Sequence, residues 1–250
     1  MPRPRKNIAI TNKDIKIFIR IYEQRTMTIK QIGSQFYPTT TIQNVHKRLA
    51  KLEKYGYIRF EKMRFNEKWL THLYITNLSF KCIKGLLKYE VLQPSFSSSS
   101  VIHDLTLVDL RASLDSLDMV KESLCENMLQ SSNCDDDIDN GSNFQVLNTD
   151  LAIHFDNDFG SYWLPVEWEA SEKGKSRVMN KLMSYYAVSE IPAIVYICED
   201  KSIQRTLQRC DEEICKNFNA KLFTCLKEDV LNFNEQLQLK NSNKKVLILK

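Results

Sequence analysis

The chain of 250 residues lacks most of the features that place a protein in a class at sight. No apolar run approaches the roughly 18–20 residues that a membrane span needs, so no membrane insertion is expected. The stretch MPRPRKNIAI is basic, but its apolar part is far too short for the hydrophobic region of a signal peptide. The 7 cysteines (82, 125, 134, 198, 210, 215 and 225) are odd in number, scattered and without a CxxC pair. A disulfide framework or a structural zinc site needs tighter and better paired spacing, so free thiols in a reducing cytoplasm are expected. No internal repeat is visible.

Charge of one sign is unevenly spread. The whole chain carries 35 Lys+Arg against 31 Asp+Glu, a net of +4. Residues 1–90 hold 19 basic and 6 acidic side chains (+13), and residues 91–250 hold 16 and 25 (−9), which sum to the same +4. The hydrophobic share of 43% leaves enough apolar side chain for two cores and excludes wholesale disorder. Two domains are therefore expected, 1–92 and 93–250, with the joint at Gln93-Pro94-Ser95-Phe96 and the four serines after it. A basic module joined to an acidic one points to nucleic-acid contact by the first.

The basic module reads as three short helices and a hairpin. The first helix starts at Thr11 or Asn12, with Asp14 in its first turn and Ile15, Phe18, Ile19 and Tyr22 as its apolar residues. A second follows Thr28, with Ile29, Ile32 and Phe36 on one face, and Pro38 ends it. The third, from Thr41 to about Tyr55, has the inner stripe Ile42, Val45, Leu49 and Leu52, with Gly56 at the C-cap. Its outer face carries Gln43, Asn44, Lys47, Arg48, Lys51 and Lys54, against Glu53 alone. Two strand-like stretches, YGYIRFEKMRF and WLTHLYIT, are joined by the turn Asn66-Glu67-Lys68, and a further helix is expected over 77–92. This is the order of a winged helix-turn-helix. Its third helix would enter the major groove, with Lys47, Arg48 and Lys51 on phosphate and Gln43 and Asn44 at base edges. The hairpin would bring Arg59, Lys62, Arg64 and Lys68 to the backbone. Tyr55, Tyr57 and Trp69 are expected in packing, not as base-stacking platforms. A charged helix face is also simply a solvated one, and winged helices mediate protein contacts too, so the pattern alone leaves those readings open.

In the acidic module a helix is expected over 101–124, with His103, Leu107, Leu110, Leu114 and Leu117 on one stripe. The polar run 131–143 holds Asp135-Asp136-Asp137 and Asp139, but the glycine and glutamate spacing of a calcium loop is missing, so a surface loop is expected. The period then switches to two. Phe144 to Phe155 reads as a strand with Asp150, Ala152 and His154 on one face, and Tyr162 to Glu169 as its hairpin partner. Glu167 and Glu169, two apart, share a face, so three carboxylates come close together. Clustered anions are costly unless protonated or neutralised, and a hard ion such as Mg²⁺ or Mn²⁺ takes oxygen ligands of this kind. Carboxylates on a solvated sheet face remain the alternative. A helix near 172–187 with the stripe Val178, Leu182 and Tyr185, a strand at 192–198, a helix near 201–218, a strand at 221–225, a final helix and a Lys-rich tail complete the domain. The expected class is α+β, a winged helix-turn-helix followed by an α/β sandwich.

The winged-helix order together with His103-Asp104-Leu105, Asp150, Glu167-Trp168-Glu169, Lys181 and Tyr185 resembles the replication-relaxation proteins and, more closely, the MobC-class plasmid mobilisation relaxases. The resemblance covers nearly the whole chain. It implies a restriction-endonuclease-like PD-(D/E)xK second domain and a Mg²⁺- or Mn²⁺-dependent, site- and strand-specific nick in plasmid DNA at a transfer origin. It also implies a cytoplasmic enzyme that meets single-stranded DNA after nicking, alongside an accessory mobilisation protein and a coupling protein. Asp150 and Glu167 match the acidic metal-binding pair of the motif. Glu169 stands where the motif usually has lysine, so Lys181 on the next helix would supply the positive charge and Glu169 would be a further ligand or a water-orienting base. The departure also admits a site that has lost nuclease activity. His103 is carried over as an acid–base group or phosphate ligand. Either a metal-bound water or a tyrosine, Tyr185 or Tyr186, would be the nucleophile, and Tyr185 is equally placed to be core. The histidine cluster of the commoner relaxase class is absent, since His46, His72, His103 and His154 show no HxH spacing. The competing functions are a non-enzymatic winged-helix regulator with an inactive nuclease-like domain, and an ordinary double-strand endonuclease.

Overall fold

The computed structural model describes residues 8–89, 96–131, 138, 141–157, 160–234, 236–243 and 245–249, with the mixed helices and strands of an α+β protein. Two compact units divide at Val108 and Asp109. The first reaches past residue 92, where the composition shift set the expected boundary. Gln31 donates from Nε2 to the Leu105 carbonyl at 2.7 Å, Phe96 rests on Phe80, and Val108 joins the first core. The serine-rich stretch is thus followed by side chains that still belong to the first unit.

Helix α1 (Asn12–Gln24) opens with a capping box, in which Thr11 Oγ1 accepts from the Asp14 N–H and Asp14 accepts from the Thr11 N–H. Its buried face is Ile17, Phe18, Ile21 and Tyr22. Ile15 and Ile19, expected among its apolar residues, are only partly buried. Helix α2 (Ile29–Phe36) starts with a second box, Thr28 with Gln31, and helix α3 (Ile42–Lys54) follows Thr41. Val45, Leu49 and Leu52 are buried as the spacing expects, whereas Ile42 is half exposed. A Cβ at Gly33 of α2 would lie only 3.2 Å from Ile42 Cδ1, so glycine there lets the two helices meet. Beyond α3, Gly56 takes the left-handed conformation (φ 81), its N–H donating to Glu53 O while the Tyr57 N–H donates to Leu52 O. That pair of bonds closes a helix only when the residue after its cap is left-handed, which glycine adopts without cost.

Strands β1 (Met27–Thr28), β2 (Ile58–Phe65) and β3 (Lys68–Ile75) form a sheet in the order β1-β3-β2, both pairings antiparallel. Asn66 (φ 47) and Glu67 (φ 64) make the two-residue turn between β2 and β3, the handedness that matches sheet twist. Helix α4 (Asn77–Ile83) and a 3₁₀ turn (Lys84–Leu86) are shorter than the helix expected over 77–92, whose last residues lie outside the described ones. Helix α5 (Val101–Leu114) contains the division between the units.

The second unit is built on a seven-stranded sheet in the order β10-β9-β8-β7-β6-β5-β4. In chain order it comprises β4 (Val120–Cys125), α6 (Glu126–Leu129), α7 (Gly141–Leu147), β5 (Leu151–Asn157), β6 (Gly160–Glu169) and α8 (Lys175–Tyr186). Then come β7 (Ile194–Cys198), α9 (Lys201–Ile214), β8 (Leu222–Leu226), α10 (Lys227–Asn232), β9 (Leu237–Lys240) and β10 (Val246–Leu249). The pairs β6/β7 and β7/β8 are parallel and the rest antiparallel. The central strand β7 is buried along its whole length.

Three expectations are corrected here. The helix expected to run to 124 stops at Leu114, and residues 120–125 become strand β4 on the edge of β5. Residues 141–147 are helical, so the strand expected from Phe144 starts at Leu151, after Asn148 (φ 50) breaks the helix. The Lys-rich tail supplies the antiparallel pair β9/β10, with Leu237, Leu239 and Leu249 buried. In each case long-range strand pairing or burial overrides the local period. The run Asp135–Asp137 and Asp139 lies outside the described residues. Cys82, Cys125, Cys198, Cys210, Cys215 and Cys225 are free thiols. Among the described residues no helix is long and apolar enough to cross a membrane.

Candidate functional site

The antiparallel register of β5 and β6 pairs Leu151 with Val166, so the next position outward sets Asp150 opposite Glu167. The Trp168 N–H donates to Asp150 Oδ2 at 2.9 Å, and the Asp150 carbonyl accepts from the Glu126 N–H at 2.9 Å. One carboxylate is thereby aimed by the backbone of the strand that bears the other. The parallel register continues the row from Glu167 to Tyr196 of β7 and Thr224 of β8. Helices α8 and α9 cover this face: Tyr185 of α8 donates to Glu167 Oε1, and Gln204 and Gln208 of α9 donate to Thr224 Oγ1.

Two side chains one helical turn apart on α8 converge on Glu167. Tyr185 is fully buried, and its hydroxyl also meets Thr149 Oγ1 at 2.8 Å. Lys181 Nζ lies 3.2 Å from Glu167 Oε1, 2.6 Å from the Leu147 carbonyl and 3.2 Å from the Asn148 carbonyl. Leu147 ends α7, whose last carbonyls have no partner within the helix, so the ammonium caps that helix while it faces the carboxylate. With three N–H bonds directed at three oxygens, Lys181 serves as a fixed positive charge.

Electrostatically the site is poised against its own ionisation. Burial, then the negative charge of Asp150, push the Glu167 pKa up to about 8, against the lowering pull of Lys181 and of the Tyr185 hydrogen bond. Burial and the neighbouring Glu167 likewise push Tyr185 well above the ordinary tyrosine range. Tyr196 is raised for the same reasons, burial first and then Glu167, Glu169 and Asp150. Glu169 pairs instead with Lys173 at 2.6 Å, four residues on. Among the described residues no three His, Cys, Asp or Glu stand close enough together to hold a metal ion, so Glu169 does not complete the expected three-carboxylate set. The remaining donors suit a hard divalent ion of the Mg²⁺ type, which takes one or two carboxylates and keeps waters elsewhere. They are two neighbouring carboxylates, one of them driven towards neutrality by burial and by the charge of the other.

Of the residues expected in this site, the second unit brings together Asp150, Glu167, Lys181 and Tyr185. His103 belongs to the first unit, its Nδ1 3.6 Å from Asp104 Oδ1. Tyr186, the other candidate nucleophile, is buried and bound to Asp211. Thr149, Lys173, Tyr196 and the carbonyls of Leu147 and Asn148 join the site beyond the residues expected from the sequence. Lys173 had a signal in its spacing of four from Glu169, and Thr149 in its place beside Asp150. The Leu147 and Asn148 carbonyls had none, because residues 144–155 have the period of a strand.

In the first unit Gln43, Asn44, Lys47, Lys51 and Lys54 of α3 are exposed, as are Lys62, Arg64 and Lys68 of the hairpin. Arg48 is placed differently. Its guanidinium binds both carboxylate oxygens of the fully buried Asp14, and Nη2 donates to the Ala9 carbonyl at 2.9 Å. Burial works to raise the Asp14 pKa, but the hydrogen bonds from Arg48 and Thr11 outweigh it and hold the carboxyl below its ordinary value. Arg48 thus secures α3 to the start of α1. Arg48→Ala would strand a buried charge, and a loss of about 3 kcal/mol from the first unit is expected in urea melts. A loss under about 0.5 kcal/mol would be ordinary for a surface site and would contradict a structural role. Tyr57 stacks on Phe18 and Tyr55 is half buried, whereas Trp69, also expected in packing, is 72% exposed.

Comparison with protein-family models, with curated proteins and with solved structures finds no match to this chain.

Proposed function

We propose that this protein is a metal-dependent DNA-nicking enzyme of the plasmid mobilisation relaxase type. On this reading the first unit is a winged helix that holds duplex DNA at a transfer origin, and the second is a PD-(D/E)xK-like nuclease that cuts one strand. The observation that carries the reading is the Asp150–Glu167 pair, one carboxylate just before β5 and the other near the end of β6, with Glu167 held towards its neutral form by burial and by Asp150. Asp150 and Glu167 would hold Mg²⁺ or Mn²⁺, which supplies Lewis acidity and a bound water acidified towards neutral pH. The chain's own residues set the geometry. Asp150 is aimed by the Trp168 N–H, Glu167 is steadied by Tyr185, and Lys181 brings a fixed positive charge to offset the negative charge that builds on the scissile phosphate. Water is favoured over tyrosine as the nucleophile, because the Tyr185 hydroxyl is buried and already bound to Glu167 and Thr149.

A second reading has one observation in its favour. Glu169 stands bound to Lys173 where a third ligand was expected, which suits a winged-helix regulator with an inactive nuclease-like unit. Supercoiled plasmid carrying the cognate transfer region separates the two. Conversion to open circle at one site on one strand, only with Mg²⁺ or Mn²⁺, supports the nickase. Linear product would indicate a double-strand endonuclease, and tight binding without cleavage under any metal would leave the regulator.

The DNA-binding half has its own test. Lys47→Ala with Lys51→Ala removes two exposed cations from α3, so the slope of log affinity against log salt should flatten by about 2. An unchanged slope would take α3 off the DNA.

A further inference from the structure

We infer that the turn end of the β2–β3 hairpin is a stacking platform for an unpaired nucleic-acid base, with Trp69 as the platform and the cations around it as backbone contacts. The inference rests on the proposed DNA-binding role of the first unit and specifies the form of DNA that this surface takes.

Trp69 is 72% exposed and Phe65, on the other side of the turn, 43%. The chain's other tryptophans, Trp163 and Trp168, are buried. A single exposed apolar side chain is ordinary, but an exposed indole with an arginine directly across the strand pair and a lysine further along the same face is a patterned surface. The register sets Trp69 opposite Arg64, Phe65 opposite Lys68 and Lys62 opposite Thr71. Strand alternation places Phe60, Lys62 and Arg64 on one face together with Thr71 and Trp69. Phe60 on that face stacks against His46 of α3 at 5.9 Å, so this is the face turned towards α3. The indole therefore shares the hairpin face that meets α3 at His46.

Complementarity selects the occupant. Lys62 and Arg64 on the same face as an exposed π system fit a polyanion that offers π faces of its own, and an unpaired nucleotide is such a partner. A fully paired duplex offers phosphates and base edges, but its base faces are already stacked on one another.

The test uses the full chain and three probes: a fully paired duplex, the same duplex with an unpaired extension, and phosphatidylglycerol vesicles. The wild type should prefer the extended duplex, and its tryptophan fluorescence should be quenched on binding it. Trp69→Ala should bind the extended duplex about tenfold more weakly, lose that quenching, keep its affinity for the paired duplex and leave the salt slope unchanged. Trp69→Phe should retain most of the preference. Because Trp69 is exposed, both variants should melt with the wild type, which keeps a loss of binding interpretable. Equal affinity of wild type and Trp69→Ala for the extended duplex, or equal losses on both DNAs, would overturn the inference and leave the DNA-binding reading standing. So would Trp69-dependent vesicle binding, or a change of oligomeric state in Trp69→Ala with DNA binding intact. If the wild type bound neither DNA, the inference and the DNA-binding reading would fall together.

Discussion

Replacing Asp150 with asparagine is expected to abolish plasmid nicking and to leave duplex affinity at the wild-type level. Asparagine keeps an oxygen that can accept from the Trp168 N–H, the bond at 2.9 Å that ties the end of β6 to the residue before β5. What it removes is the charge, which is half of the proposed metal site and also a cause of the raised pKa of Glu167. Losing a ligand charge from a two-carboxylate site forfeits several kcal/mol of transition-state stabilisation, or about a thousandfold or more in rate. Binding is assigned to the exposed cations of α3 and the hairpin, in the other unit, so a filter or anisotropy titration should not change. Nicking at the wild-type rate by Asp150→Asn would remove the site assignment outright. A parallel loss of binding would instead mean that Asp150 supports the fold.

The second large effect concerns stability against pH. Glu167 has a folded-state pKa of about 8 against an ordinary value of 4.5. Between those values the folded protein holds a proton that the unfolded chain has released, so stability falls as pH rises through the window. The contribution is fully present below 4.5 and is lost as pH passes about 8. A shift of this size corresponds to about 3–5 kcal/mol across the window, or a fall of about 10 °C in the melting temperature of the metal-free protein. Glu167→Gln keeps a neutral side chain of the same shape next to Tyr185 and Lys181 and should flatten that dependence. Mg²⁺ added at the alkaline end should raise the melting temperature of the wild type more than that of the variant, since only the wild type offers both carboxylates, Asp150 and an ionised Glu167. Parallel wild-type and variant curves would show that Glu167 is not the titrating group. A flat response to Mg²⁺ and Mn²⁺ in both would favour the regulator.

These two experiments address a pair of residues that was visible in the sequence because alternation in strands is strict. Glu167 and Glu169 are two apart on a strand with turn chemistry before it, and Asp150, one residue before β5, keeps the phase of that strand, so its place beside Glu167 followed from periodicity. Lys181 and Tyr185 were legible for a similar reason, being four apart on a helix whose apolar stripe fixes which side faces the sheet. The caps of α1 and α2 and the glycine closing α3 were legible because they are local, each set by side chains within a few residues of the backbone groups they satisfy.

What failed to show was decided at long range. Val120–Cys125 has residues that suit the end of a helix as well as a strand, and only the exposed edge of β5 selects the strand. Gly141–Leu147 became a helix whose final carbonyls receive Lys181, a bond between elements that local sequence does not encode. Arg48 and Lys47 are neighbours with the same charge, yet one is drawn to a buried aspartate on α1 and the other left on the surface. Glu169 shares a face with Glu167 and still belongs to a different ion pair, because the chain leaving β6 returns Lys173 to it.

The sequence by itself determined the periodicities: which stretches are amphipathic, where the turns fall, how the charge divides along the chain, and which carboxylates are in phase. The tertiary structure alone decided the partners, since a side chain's electrostatic and hydrogen-bonding fate depends on what is folded against it. Partner choice is what makes Arg48 a brace, Trp69 an exposed ring and Glu167 a carboxyl held near neutrality.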